Sequence, residues 1–161
     1  MSAVTIRDAM KSDAKVILSL LYELAEYEKL TDKFKLTREL IERDFFGPDA
    51  ACYCDLATVD GVAVGVMVWH HTYASFAAAR GIFLDDIFVQ PKHRGKGIGK
   101  LFFAHLARRA VTTGSTRIDW AVLDWNKPSI AFYEGLGAAE QPEGWLNYRL
   151  SGQALESLAK K

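Results

Sequence analysis

The stretch from Ile82 to Lys100 reads IFLDDIFVQPKHRGKGIGK. Residues 82–89 are rich in β-branched and aromatic side chains and Pro91 closes the run, which predicts a strand. Beyond Gly97, residues Ile98, Leu101, Phe102, His105 and Leu106 recur at the spacing of one helical face. A strand therefore empties through a basic, glycine-dense turn into a helix. The first turn of a helix leaves backbone N–H groups unpaired, and glycine lets an anion come close to them. Arg94, Gly95, Lys96, Gly97, Ile98, Gly99 and Lys100 thus form a candidate pyrophosphate cradle.

Spacing narrows the kind of cradle. A P-loop requires Ser or Thr after its lysine, and Leu101 follows Lys100. A dinucleotide fingerprint requires G-x-G-x-x-G, whereas Gly95, Gly97 and Gly99 run G-x-G-x-G. What fits is R-x-x-G-x-G at Arg94, Gly97 and Gly99. That pattern resembles the signature loop of the GNAT superfamily of acyl-CoA-dependent N-acyltransferases, which cradles the coenzyme A pyrophosphate.

Composition sets outer bounds. At 161 residues the chain suits one domain with a sizeable core, spanning residues 1–161. Twenty basic residues balance twenty acidic ones, so no global basic field favours nucleic acid or a membrane surface. No apolar run reaches membrane-spanning length and Met1–Met10 holds no signal-peptide core, so a cytoplasmic protein is expected. Cys52 and Cys54, spaced C-x-C on a strand, suit reduced thiols, and no neighbouring ligand set suggests a metal.

Periodicity and turn signals predict an opening strand at Val4–Ala9, then a helix carrying Ile17, Leu20, Leu21 and Leu24, capped by Ser12 or Asp13. Thr37 caps a second helix with Leu40 and Ile41. Strands at Cys52–Val59 and Val62–His70 are joined by Asp60-Gly61, a hairpin signal. After a small-residue loop at Ala74–Arg80 come the strand, cradle and helix already described. A strand at Arg117–Leu123, a short helix from Pro128, a last strand at Trp145–Leu150 and an amphipathic tail capped by Ser151 complete the chain. The order β-α-α-β-β-β-α-β-α-β describes an α/β (α+β) fold, a mixed central sheet with helices on both faces.

That order is similar to the GNAT fold, and further motifs narrow the branch. Trp125-Asn-Lys-Pro-Ser-Ile-Ala-Phe-Tyr133 resembles the W-N-x-P-[SA]-x-x-F-Y segment of diamine (spermidine/spermine) acetyltransferases and their thialysine-acetylating relatives. The same branch shows E-L-A-x-Y-E, matched by Glu23–Glu28, an [ED]-D-x-F-V strand, matched by Asp85–Val89, and a late E-G-W, matched by Glu143–Trp145. The resemblance covers nearly the whole chain. It implies acetyl-CoA as co-substrate, no metal, a small amine as substrate and a homodimer.

The chemistry sets demands on the residues. An amine with pKa about 10.4 is mostly ammonium at neutral pH, so reaching the free base costs roughly 4–5 kcal/mol without help. Asp85 and Asp86 are candidates to assist, and strict strand alternation would send them to opposite faces. On spacing alone the pair reads as a solvated acidic strand end or as a salt-bridge partner of Arg94 or Lys92. The resemblance assigns Asp85 to the base position, where the family carries a glutamate; the aspartate, one methylene shorter, favours a bridging water. Tyr133 by spacing alone reads as a packing aromatic, and the resemblance makes it the general acid for the departing thiolate. Ile87, Phe88 and Val89 then supply backbone N–H groups to the pantetheine arm and thioester, with Asn126 and Ser129 also on coenzyme A. Tyr27, Glu28, Asp85, Asp86, Trp120, Glu143 and Trp145 are the acidic and aromatic residues implied to receive a cationic amine. His70 and His71 carry no recognisable partner spacing and read as structural or surface residues.

The expected activity is therefore acetyl transfer to a primary amine of a small di- or polyamine, or of a lysine-like amino acid. Two alternatives stay open at this point: acetylation of a peptide or protein amine, and a non-enzymatic acyl-CoA-binding module.

Overall fold

The computed structural model describes residues 3–141 and 146–160, which form two compact units divided between Leu123 and Asp124. The first holds β1 (Val4–Asp8), α1 (Ala14–Tyr27), α2 (Arg38–Asp44), β2 (Tyr53–Val59), β3 (Val62–Ala74), β4 (Ala79–Val89), α3 (Ile98–Thr112) and β5 (Ser115–Trp120). The second holds α4 (Lys127–Gly135) and α5 (Gly152–Ala159). The sheet order is β1-β2-β3-β4-β5; the first four strands form an antiparallel meander, and β5 lies parallel to β4. Helix α3 supplies the crossover that a parallel pair requires.

Alternation on the strands sorts side chains into two cores. Cys54 and Leu56 of β2, Val66 and Val68 of β3 and Phe88 of β4 face Ile17, Leu20, Leu21 and Leu24 of α1 and Ile41 of α2. The intervening residues Asp55, Ala57, Met67 and Trp69 are also buried and face α3, whose Phe102 and Leu106 are fully buried. Helices therefore cover both faces, as expected.

The α3 face contains a charged group, and it is satisfied. Asp55, 1% exposed, accepts from Trp69 Nε1 at 2.7 Å and from the Arg109 guanidinium at 3.4 Å. Arg109 also bonds Asp8 of β1 and lies 5.2 Å above the Trp69 ring. Burial raises the Asp55 carboxyl above the usual range, while the Trp69 bond and the Arg109 and His105 charges pull against it. Strands β1, β2 and β3 and helix α3 are thus tied through one buried carboxylate.

Turn chemistry follows the sequence. Asp60 and Gly61 take φ of 50° and 83°, the left-handed pair that a two-residue hairpin needs. Thr37 Oγ1 accepts from Leu40 N at 3.3 Å and caps α2. Asp13 stands at the start of α1 but bonds Arg7 and the Met10 N–H instead of capping that helix. The expected Ala74–Arg80 loop is a tight turn at Ser75–Ala78, because β3 and β4 pair out to Ala74 and Ala79. The last expected strand is corrected: residues 146–150 join no sheet, and Trp145 lies outside the described residues. The sheet has five strands among the described residues, and the tail helix follows directly.

Gly65 permits α3 to approach the sheet. A Cβ there would lie 2.9 Å from the Phe88 carbonyl oxygen and 3.1 Å from Phe102 Cε2. Gly65→Ala is expected to destabilise the fold by about 1–3 kcal/mol through overpacking, and Leu56→Ala by about 2–5 kcal/mol through a cavity. Urea unfolding with a constant m-value measures both.

Candidate active site

The site in the first unit begins at an irregularity in β4. Strand β3 runs regularly through Val68 and Trp69, while its partners jump from Asp86 to Leu84. Asp85 is the extra residue of a β-bulge. Before the bulge Leu84 pairs with Trp69 on the α3 face; after it Asp86 pairs with Val68 on the α1 face. The expectation of opposite faces for Asp85 and Asp86 is corrected by this bulge. The Asp85 carboxylate meets His70, which shares the Val68 face, with Oδ2 2.6 Å from Nδ1.

The bulge also marks where β4 loses a neighbour. Pairing with β5 extends from Arg80 to Leu84 and stops as β5 ends at Trp120. Asp85, Asp86, Ile87, Phe88 and Val89 have no strand partner on that side among the described residues. Backbone N–H groups along that edge are available to an extended ligand.

Beyond Val89 the chain turns through Pro91–His93 into the cradle. Gly95 and Gly97 take φ of 72° and 81°, and Gly97 is the N-cap of α3. No side chain caps α3 and no acidic residue lies in its first turn, so its first N–H groups face outward unneutralised. Arg94 donates from Nε to the Val89 carbonyl at 2.8 Å, and its guanidinium carbon lies 4.8 Å from the Tyr27 ring and 5.4 Å from the Phe88 ring. That stacking fixes a positive group beside the turn. Lys96 and Lys100 are exposed, whereas Ile98 is buried and anchors the helix start. The residues suit a pyrophosphate-bearing ligand: bare N–H groups, left-handed glycines and fixed positive charge.

A groove of about 290 Å³ opens on the α1 face, lined by Leu21, Leu24, Ala25, Phe34, Glu28, Asp86, Lys33 and Lys35 among others. Burial, followed by the charges of Asp85 and Glu28, pushes the Asp86 carboxyl up to about 6. Burial also raises Glu28. Two carboxylates lining an apolar groove can hold a cation strongly, because each gains an opposite charge it otherwise lacks.

Other expected site residues lie elsewhere or stand by themselves. Trp120 packs edge-on to Phe103 of α3 at 5.1 Å, on the face opposite the acidic groove. Asn126 Oδ1 accepts from Ser129 N at 3.4 Å and caps α4, and Pro128 sits in that first turn. Tyr133, on α4, lies 5.5 Å from the Phe132 ring, centroid to centroid. Glu143 and Trp145 lie outside the described residues. Sequence reading missed His70 as the partner of Asp85, and no local spacing marks it. Only the hairpin register of β3 and β4 brings residues 15 positions apart together. Cys52 and Cys54 are both free thiols, and burial pushes the Cys52 thiol up to about 11. None of the described helices is long and apolar enough to cross a membrane.

Comparison with known proteins agrees with this geometry. The model of the acetyltransferase (GNAT) family matches residues 16–138, a span that runs across both compact units. A thialysine N-epsilon-acetyltransferase of Sus scrofa is 36% identical over the full length of both chains. An L-ornithine N5-acetyltransferase of Arabidopsis thaliana is 38% identical over 81% of this chain and 54% of its own. An integron cassette protein from V. cholerae superposes with a TM-score of 0.81 at 26% identity, covering 98% of each chain. With a five-stranded mixed sheet, an open β4 edge and a glycine cradle at α3, the chain belongs to the GNAT acetyltransferase family, in its diamine and thialysine branch, and is an enzyme that transfers acetyl groups to amines.

Proposed function

We propose that the enzyme acetylates the side-chain amine of a lysine-like amino acid, using acetyl-CoA. The observation that carries this reading is the continuity of the open β4 edge at Asp85–Val89 with the bare cradle at Gly97. An extended pantetheine arm and a pyrophosphate require those two features in that order. Full-length likeness to thialysine acetyltransferases supports the amine class. The groove adds a reason to prefer an amino acid over a polyamine. Glu28 and Asp86 suit the cationic amines, and Lys33 and Lys35 are cations suited to a carboxylate. Lys33 and Lys35 carry the carboxylate recognition that a polyamine would not need.

In this reading residues 1–161 form one acetyltransferase domain, consistent with a family match over residues 16–138. Arg94, Gly95, Lys96, Gly97, Ile98, Gly99 and Lys100 hold the diphosphate; Ile87, Phe88 and Val89 offer N–H groups to the arm; and Asn126 and Ser129 serve the same ligand. Acetyl-CoA supplies the thioester. Asp85 assists removal of the ammonium proton, and Tyr133 gives its phenolic proton to the sulfur that leaves. A phenol of pKa about 10 reprotonates a thiolate near 8.5 with a small uphill step. Tyr27, Glu28 and Asp86, with Glu143 and Trp145, receive the amine. Trp120 takes no part in the acidic groove. The working form is a cytoplasmic homodimer in this reading. Membership in an acetyltransferase family counts against the non-enzymatic alternative.

Thiol release from acetyl-CoA over a panel of thialysine, ornithine, lysine, spermidine and a lysine peptide tests the substrate class. Preference for the free amino acids supports the reading; preference for spermidine or the peptide overturns it. Tyr133→Phe is expected to lower kcat about 10²–10⁴-fold while coenzyme A still binds in calorimetry. Gly97→Ala is expected to raise the KM for acetyl-CoA roughly tenfold, because a side chain at φ 81° costs about 1–2 kcal/mol.

Asp86 gives a pH prediction. Its folded value of about 6 lies above the usual aspartate value, so the folded state holds the proton more tightly than the unfolded one. The proton's stabilisation is present at low pH and is lost as pH rises from about 4 through about 6. Asp86→Asn is expected to flatten that part of a Tm-against-pH curve. In the wild type, amine KM is expected to fall as pH rises through about 6, as the anion forms.

A further inference from the structure

Asp85 and His70 form a close side-chain pair on the Val68 face of the sheet. Asp85 is the family's glutamate position shortened by one methylene, and its carboxylate is committed to His70 Nδ1 at 2.6 Å. The two side chains are 36% and 37% exposed, so the pair is accessible to a ligand. The ring of His70 lies 5.5 Å from the Phe83 ring, centroid to centroid. An imidazole whose Nδ1–H donates to a carboxylate has its Nε2 lone pair free, and among the described residues Nε2 has no hydrogen-bond partner.

We propose that His70 takes the proton from the substrate ammonium, with Asp85 orienting its ring and balancing the imidazolium that forms. This rests on the amine acetylation reading above. The imidazole replaces the bridging water that a shortened acid would otherwise need. The bulge makes the arrangement possible, because it turns Asp85 to the Val68 and His70 side of the sheet. Asp86 on β4 and Cys52 before β2 are ionisable neighbours that interact electrostatically with Asp85.

The proton count closes. The ammonium gives one proton to His70 Nε2 and becomes the free amine. Its nitrogen then forms the C–N bond as the C–S bond breaks. The sulfur takes the Tyr133 phenolic proton, and the second proton leaving the nitrogen restores the phenol. His70 gives its proton to water, so one proton is released per acetyl transferred.

Three variants test this on the full chain. His70→Gln is expected to lower kcat about 10²–10⁴-fold, with acetyl-CoA affinity unchanged and the acid limb of the kcat profile abolished. His70→Gly, supplied with free imidazole, is expected to recover turnover in proportion to the neutral imidazole present. Asp85→Asn is expected to keep the acid limb but move it to lower pH, since the imidazolium loses its counter-charge. A readout independent of the amine is the ¹⁵N spectrum of His70, which should carry the proton on Nδ1 in the wild type and lose that preference in Asp85→Asn. Full turnover in His70→Gln overturns the proposal, as does lost turnover with the acid limb retained and no rescue by imidazole. An acid limb that vanishes in Asp85→Asn makes Asp85 itself the base and also overturns it. A wild type that acetylates no amine despite the Nδ1–H signature removes the amine reading and the relay together. An active wild type with an indifferent His70→Gln removes the relay alone.

Discussion

One extra residue in β4 sets the arrangement of the candidate site. With regular pairing, Asp86 would share the α3 face with Leu84 and Trp69, where a carboxylate would compete with the buried Asp55. The bulge at Asp85 inverts the faces beyond it, so Asp86 opens onto the α1 groove and Phe88 joins the α1 core. It also increases local twist where β5 ends, and β4 is left with an unpaired edge on that side. Acidic groove, His70 contact and open edge therefore share a single cause.

Such a defect needs rigid surroundings. On one side, α1 packs Ile17, Leu20, Leu21 and Leu24 against the strands flanking the bulge. On the other, Asp55 joins Trp69 and Arg109, which also reaches Asp8, so strands β1 to β3 and α3 are held in one register. A buried carboxylate with a single missing partner would destabilise the fold strongly, so this group enforces its own geometry. Gly65 completes the support by letting Phe102 sit against the sheet next to Val89. The start of α3, and with it the cradle, is thereby positioned relative to the open strand.

The cradle joins local and tertiary requirements. Left-handed φ at Gly95 and Gly97 is demanded by the turn itself, and these glycines meet nothing within 4 Å where a Cβ would stand. Their value is conformational and in leaving room for a ligand. Arg94 shows the tertiary part: its Nε bonds the Val89 carbonyl and its plane lies over Tyr27 from α1. The tyrosine of the E-L-A-E-Y-E segment thus supports the glycine turn through Arg94.

By itself the sequence determined whatever depends on neighbours along the chain. The strand, glycine turn and helix of Ile82–Lys100, the Asp60-Gly61 hairpin, the Thr37 cap and the collinear motifs ending at Tyr133 are local signals, and they carried the family and most of the architecture. Three things depended on the tertiary structure. The facing of Asp85 and Asp86 follows from a register break, which alternation along one strand cannot reveal. The position of Trp120 against Phe103 follows from where β5 stops beside α3. The partnership of His70 with Asp85 follows from the pairing of two strands, and a histidine without helical or metal spacing gives no local sign of it. Hydrogen-bond registers between strands are cooperative, non-local outcomes of packing both faces of a sheet, so the residues they bring together become visible only in the folded chain.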